Sequence, residues 1–486
     1  MGALFLPYKE EKMENENNVM NENDIAFISA EERVPTFERV NELIEVKQYA
    51  RIREELDGLP TPDIAELIEM LDAERRVLVY RLLPKDTAAE VFVEMNFDTT
   101  EALIEVFSDK ELSETLAELY IDDAVDIIEE MPASVVKRIM RNCSEENRNA
   151  INQLLQYPKD SAGSIMTTEY VRLLPNMTVE DALLHIRRVA IDKETVYTCY
   201  VTDKDRHLIG IVTAKALMLA ERETEIAELM NENVIFATTV DDQETVANLF
   251  NKYGFIALPV TDAEHRLVGI VTVDDAMTVM REEAEEDFAK MAAIIPERTE
   301  YLRTPAVRLF LARLPWLLLL MISATFSSAI LSFFEASLIP VLVLFVPMLM
   351  DTGGNSGSQA SVTAIRGLST GEIELSDALR VLWKEIRVGA MCGAVLGVVA
   401  FGKVMLVDRL IMNNPSVTLI VALSVSIALT ATVLIAKIIG STLPLLARRL
   451  GFDPAVMASP FITTIVDAIG LIVYYLISAN VFGLTV

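Results

Sequence analysis

The sequence predicts a multi-domain chain: an all-α superhelical N-terminal domain, an α/β domain of two related halves, and an all-α transmembrane bundle of five helices. Three observations carry that reading. Excess acidic charge is confined to the residues before Glu297, a strand–turn–strand–helix pattern recurs at an offset of 59 residues, and five long apolar stretches follow residue 310. The expected boundaries are a disordered tail over residues 1–34, the helical domain over 35–157, the paired repeats over 158–282, a linking helix over 283–311 and the membrane domain over 312–486.

Of 72 acidic and 42 basic residues, 11 and 13 lie from Glu297 onward, which leaves 61 and 29 before it. A region so acidic repels nucleic acid and anionic lipid and attracts cations, although a well-solvated surface explains the same charge. Cys143, Cys199 and Cys392 are widely spaced, and His185, His207 and His265 are the only histidines. That inventory disfavours a zinc site or a disulfide framework and suits a reducing compartment. The opening MGALFLPYKEEKMENENN has no basic-then-apolar signal peptide, and its Asn/Glu richness predicts a disordered tail.

Residues 35–157 carry short amphipathic helical patterns. DIAELIEML (Asp63–Leu71), DTAAEVFVEM (Asp86–Met95) and DDAVDIIEEM (Asp122–Met131) form a loose repeat, spaced near 24 and 37 residues, as in stacked helical arrays. A clearer repeat matches Tyr200–Leu217 to Pro259–Met277, each ending in Gly-Ile-Val-Thr and a helix start. After the second repeat, Asp275, Glu283, Glu286 and Asp287 fall on one helix that runs toward the first apolar stretch. Carboxylates so close repel unless cations bridge them, or unless water screens them along a solvated linker.

The apolar stretches cover about 312–334, 337–365, 385–407, 416–441 and 453–482, each near or above the ~20 residues a membrane-crossing helix needs. Arg303, Arg308 and Arg313 precede the first; Arg380, Lys384 and Arg387 lie between the second and third; Lys437, Arg448 and Arg449 lie between the fourth and fifth. The positive-inside rule then puts the N-terminal domains in the cytoplasm and the C-terminus outside. In the second stretch, Asp351, Asn355, Gln359 and Thr363 make one i+4 stripe, and Gly353, Gly357 and Ser361 make another. The first stripe offers oxygen ligands and the second lets a neighbouring helix approach. A packing motif with incidental amides, or a helix unwound at its glycines, fits the same residues. In the fifth stretch, Ser459, Thr463 and Asp467 share a face that Gly470 continues. Asp467 falls mid-span, where an ionised carboxylate costs roughly 2.5–3.5 kcal/mol unless water, a cation or its own proton relieves it. Hard oxygen donors suit Mg2+, which keeps its waters, and equally admit Mn2+ or Co2+.

The paired repeats resemble cystathionine-β-synthase (CBS) domains, and the whole arrangement resembles the MgtE-type magnesium transporter family. GGNSGSQ in the second stretch and SPFITTIVD in the fifth carry the likeness most specifically. The resemblance implies a homodimer in the cell membrane, without catalysis or nucleic acid, whose second and fifth spans line a pore on the two-fold axis. It makes Asp467 the pore carboxylate for hydrated Mg2+, with Ser459, Thr463 and Asn355 alongside. Family members often carry Asn where Ser459 stands, and an apolar residue or glycine where Asp351 stands. Regulatory Mg2+ sites are implied at Asp122 and Asp126, at Asp242 and Glu244, and at Asp275, Glu283, Glu286 and Asp287. The expected function is therefore Mg2+ uptake, closed by cytosolic Mg2+ at those acidic sites. CBS pairs often hold an adenine nucleotide between their repeats, and no residue here establishes one. Two alternatives remain at this stage, a membrane-anchored CBS nucleotide sensor and a broader Mn2+/Co2+ channel. The polar second span and Asp467 argue against a mere anchor.

Overall fold

The computed structural model describes residues 34–190, 193–296, 301, 304–335, 339–457 and 459–483. The expected N-terminal tail lies almost wholly outside the described residues. Two compact units divide at Tyr157 and Pro158, except that Thr167–Glu169 group with the first.

The first unit is helical throughout: α1 (Val34–Glu45), α2 (Tyr49–Leu56), α3 (Thr61–Met70), α4 (Ala73–Tyr80), α5 (Lys85–Glu94), α6 (Phe97–Val106), α7 (Asp109–Glu118), α8 (Ile121–Glu130), α9 (Ala133–Asn142) and α10 (Glu145–Leu154). From Tyr49 to Glu145 every helix starts 12 residues after its predecessor. The same interval separates Leu71, Leu83, Met95, Phe107, Leu119, Met131 and Cys143, all buried at the junctions. Most of these junction residues are extended, as at Met95 (φ −77°, ψ 146°), which breaks the helix while driving an apolar side chain inward. The next residue starts the following helix: Asn96 accepts from Thr99 N–H, and Ser108 with Glu111 closes a reciprocal cap. Packing runs mainly between alternate helices, as α3 on α5, α5 on α7 and α7 on α9. The spacings near 24 and 37 residues read from sequence are thus close to multiples of a shorter 12-residue period.

The second unit opens with the repeats. Strands β1 (Tyr170–Leu173), β2 (Thr195–Thr202) and β3 (Leu208–Thr213) form one sheet, in that order, with β1 parallel and β3 antiparallel to β2. Helix α11 (Val179–Val189) links β1 to β2; α12 (Ala214–Leu219) and α13 (Ile226–Leu229) follow β3. The second half repeats this with β4 (Ala237–Thr238), α14 (Gln243–Tyr253), β5 (Ala257–Thr261) and β6 (Leu267–Thr272). Corresponding turns agree in detail: Arg206 and His265 both have positive φ, and Asp203 and Asp262 each accept two backbone N–H groups of their turn. Tyr170, Tyr200, Ala257, Leu267 and Ile270 form a shared core between the halves.

Helix α15 (Val273–Met291) continues straight out of β6. The expected boundary at residue 283 therefore falls inside one helix. Beyond it lie α16 (Ala306–Glu335), the short turn α17 (Pro340–Val343), α18 (Val346–Ser369), α19 (Ala378–Lys403), α20 (Leu419–Arg449) and α21 (Ser459–Phe482). Residues 404–411 extend α19 as a π-helix, and Pro454–Met457 form a 3-10 turn before α21. Four of these helical stretches are long and apolar enough to cross a membrane: Ala306–Phe333, Leu375–Ile411, Leu419–Arg449 and Pro454–Phe482. The remaining long helix, α18, is too polar for that test and packs against α20 and α21. It is continuous through its glycines, so the unwound alternative does not hold.

Lys437 departs from the sequence expectation. It lies inside α20, 5% exposed, and donates to Gln359 Oε1 at 3.2 Å, so it is no loop base. The orientation signal at this junction rests on Arg448 and Arg449 alone, in the last turn of α20. At 31 residues α20 outruns the bilayer core, whose ~30 Å take about 20 residues, and hydropathy alone could not locate its end.

Candidate functional site

The two stripes of α18 separate in space. Gly353, Gly357 and Ser361 are buried, whereas Asp351, Asn355, Gln359 and Thr363 are exposed on the chain's surface. Small residues are required on the buried face. A Cβ on Gly357 would meet Ile462 and Val466 at 3.0 Å, and one on Gly440 of α20 would run into the Gly357 carbonyl oxygen. A Cβ on Gly354 would lie 2.7 Å from Thr463 Cγ2 and 3.6 Å from Asp467 Oδ1. Gly354 is therefore what lets α18 approach the mid-helix carboxylate of α21. Ser358 Oγ stands 3.3 Å from Thr463 Oγ1 across the same seam. Asp467 is half-buried, and its Oδ1 has no hydrogen-bond partner among the described residues. It borders a half-open cavity of about 200 Å3 between α16, α18 and α21. Ser459 begins α21, but its side chain lies outside the described residues. Gly470 faces away from this seam: its Cβ would meet Thr432 of α20 at 3.0 Å.

A second site forms where α14, α15 and the ends of α18 and α20 meet. Gln243 Nε2 donates to Glu283 Oε1 at 2.8 Å, which ties the repeat domain to the linking helix. Ser369 Oγ at the end of α18 donates to Asp287 Oδ2 at 3.0 Å. Lys290 Nζ lies 2.5 Å from Glu286 and 2.6 Å from Asp453, which precedes α21. Arg448 Nη1 donates to the Leu368 carbonyl at 2.7 Å and so holds α20 to the end of α18. Burial, then the charges of Glu283, Asp287 and Asp242, push the Glu244 carboxyl up to about 7, against the pull of Arg448. Burial also raises Glu283, opposed by its bond from Gln243. Asp287 is raised by burial too, opposed by its bond from Ser369. Burial works against the Lys290 ammonium, yet its contacts with Asp453 and Glu286 outweigh that and hold it above its ordinary range. Asp242 and Glu244 at the start of α14, Glu283, Glu286 and Asp287 of α15, and Asp453 thus share one junction with Lys290 and Arg448.

Of the residues singled out from sequence, Asp242, Glu244, Glu283, Glu286 and Asp287 are brought together here. Asp275 is not among them. It sits in the first turn of α15, accepting from Thr272 Oγ1 at 2.6 Å, roughly 12 Å along the axis from Glu283. Asp122 and Asp126 belong to the first unit, where both lie on α8; Asp122 is buried and Asp126 exposed. Sequence reasoning passed over Gln243, Lys290, Ser369 and Asp453. Asp453 carried a usable signal, an acid directly before a span and level with Arg448 and Arg449.

Residues 346–477 match the family of divalent cation transporters termed MgtE, residues 59–160 its intracellular N domain, and residues 162–223 and 226–282 the CBS domain. The chain is 37% identical to the magnesium transporter MgtE of Thermus thermophilus over 87% of its own length and 93% of that protein's. It is 31% identical to the Bacillus subtilis protein of the same name, over 87% of this chain and 92% of that one. Among solved structures, the cytosolic domain of the Mg2+ channel MgtE in complex with ATP is 37% identical, with a TM-score of 0.48, covering 49% of this chain and 98% of that one.

Proposed function

We propose that this chain, which belongs to the MgtE family of divalent cation transporters, carries Mg2+ across the cell membrane past Asp467 and closes when Mg2+ binds at the α14–α15 junction. The observation that carries the reading is the Asp467 carboxylate, mid-helix in a membrane-length helix, with one oxygen unpartnered beside Gly354. An ion in that place must relieve an otherwise costly charge. Mg2+ sheds water reluctantly, so the carboxylate grips its hydration shell; Thr463 offers a further oxygen one turn earlier, and Ser459, eight residues before Asp467 in the sequence, is assigned to the same path. Relatives named magnesium transporters, 31–37% identical over most of the chain, support Mg2+ as cargo.

The exposed stripe of Asp351, Asn355, Gln359 and Thr363 supports a homodimer. On a lone chain these polar groups would face lipid; against a second copy they would line a wet path. Basic residues at the start of α19 and the end of α20 support a cytoplasmic N-terminal side and an outer C-terminus.

Closure follows from the junction. With Mg2+ present, Glu244, Glu283 and Asp287 are bridged, and α15 is held against Ser369 and Asp453. Without it their repulsion separates the elements and frees the path. Asp122 and Asp126 of the helical domain are assigned to the same regulation, and Asp275 to a separate site. Turning a 1:99 equilibrium into 99:1 takes about 10⁴-fold differential binding, roughly 5.5 kcal/mol, which several weak sites supply together.

The test is Mg2+ flux into proteoliposomes holding the protein or its Asp467→Ala variant, with Mg2+ varied on the side bearing the N-terminal domains. Flux that needs Asp467 and fades as that Mg2+ rises is expected. Equal flux in both proteins would move the ion site elsewhere.

A further inference from the structure

We propose that Ser327 of α16, with Ser328, Thr464 and Asp467, forms a lateral outer-sphere site for the hydrated divalent cation, so that the path is completed by α16 and not by α18 and α21 alone. The inference rests on the reading of Asp467 as the carboxylate of the path.

Helix α16 is mostly apolar, and 19 of its 28 described side chains are exposed; only Ala312 and Ser327 are buried. Ser327 is an exception at 8% exposure, and it borders the same cavity as Asp467. Hydroxyls in membrane helices usually satisfy themselves by donating back to the carbonyl one turn earlier. Ser426 does so to Ala422 at 2.7 Å, Thr430 to Ser426 at 2.9 Å and Thr464 to Pro460 at 3.1 Å. Even Thr325, two residues before, donates to Ile322 at 2.5 Å. Ser327 Oγ makes no such bond and has no partner among the described residues. A buried hydroxyl left unpaired is unfavourable unless something outside the chain pairs it.

The cavity says what that something is. Its carboxylate oxygen Oδ1 of Asp467 is likewise unpartnered, while Leu331, Met350 and Leu471 supply walls with no competing polar group. The half-open cleft of about 200 Å3 has room for several waters, since one needs only ~10–15 Å3 of such space. Neutral hydroxyls and one carboxylate around several waters match a cation that keeps its inner shell. Thr464, whose O–H donates a hydrogen bond to the Pro460 carbonyl, presents its oxygen lone pair as an acceptor to those waters. The hydroxyls orient shell waters and the carboxylate supplies the charge.

The test uses hexaamminecobalt(III), whose six N–H-bearing ligands do not exchange, as a blocker of Mg2+ flux in proteoliposomes. Ser327→Thr keeps the hydroxyl, and Ser327→Val has the same shape without it. The Thr variant should be blocked like the unmodified protein, and the Val variant about tenfold more weakly, ~1.4 kcal/mol. Equal block in the Thr and Val variants overturns the site, as does an unmodified protein that the complex fails to block. If the Val variant does not fold, Ser327→Ala makes the same comparison. Asp467→Asn separates the two readings. Flux and block unchanged in that variant refute Asp467 as the path carboxylate, whereas loss there with Thr and Val alike refutes only the role of Ser327.

Discussion

Asp467 stands as a single mid-helix carboxylate beside glycines and neutral hydroxyls, while Glu244, Glu283, Glu286 and Asp287 stand together at a polar junction. The difference is one of rigidity. Gly357 and Gly440 bring α18 and α20 to backbone contact, and Gly353 and Gly354 seat α18 on Thr432 and Thr463, so the seam beside Asp467 cannot shift without a clash. At the junction, contacts are single hydrogen bonds and ion pairs between long side chains of four elements, each separable at small cost. A fixed lone carboxylate suits a place that an ion passes. A crowded, loosely tied group of carboxylates suits a place that an ion holds together.

Breaking the rigid side of that comparison should have the largest effect. Asp467→Ala is expected to lower Mg2+ flux by at least ~100-fold, as removal of a principal electrostatic partner does at other reacting centres. Gly440→Ala drives a Cβ onto the Gly357 carbonyl. It should lower thermal stability of the detergent-solubilised protein by about 1–3 kcal/mol, the usual cost of overpacking, and an unchanged Tm would refute the tight seam.

On the junction side, Glu244→Gln, Glu283→Gln and Asp287→Asn together should leave flux at zero Mg2+ intact and weaken closure roughly 10- to 100-fold, the span of a typical coupling energy. Closure at the unmodified Mg2+ concentration would sink the gating reading. A pH series sharpens the same point. Carboxyls raised in the docked state favour their protons there, so docking is fully supported below the ordinary value of 4.5 and loses support as pH rises through about 7. Without divalent cations, protection of α15 from proteolysis should fall between about pH 5 and 8, and Glu244→Gln should flatten that fall. A flat profile in the unmodified protein contradicts the assignment. The smallest effect is expected from Lys290→Met, which removes an internal cation from between Glu286 and Asp453. Closure should then need about two- to fivefold more Mg2+, in the range of one partly exposed ion pair.

Much of this was legible in the sequence where the signal is local. The two i+4 stripes of α18 appear in the structure as a buried face and an exposed face, because helical pitch alone assigns residues to faces. The paired repeat reproduces itself down to the positive φ of Arg206 and His265. The 12-residue period of the first unit was equally present in the string, at Leu71, Leu83, Met95 and Phe107, but varied residues at each junction hid it. Gly470 and Lys437 were misplaced because a one-helix reading cannot say which neighbour a face meets.

By itself, then, the chain determined its helices, its repeats and which residues share a face, all consequences of backbone geometry within a few turns. Only the tertiary structure decided that Glu283 meets Gln243, that Asp287 meets Ser369 and Lys290 meets Asp453, and that an unpaired Ser327 borders the cavity of Asp467. Those meetings depend on how closely helices pack at glycines far apart in sequence, and close packing is a property of surfaces that no local window contains.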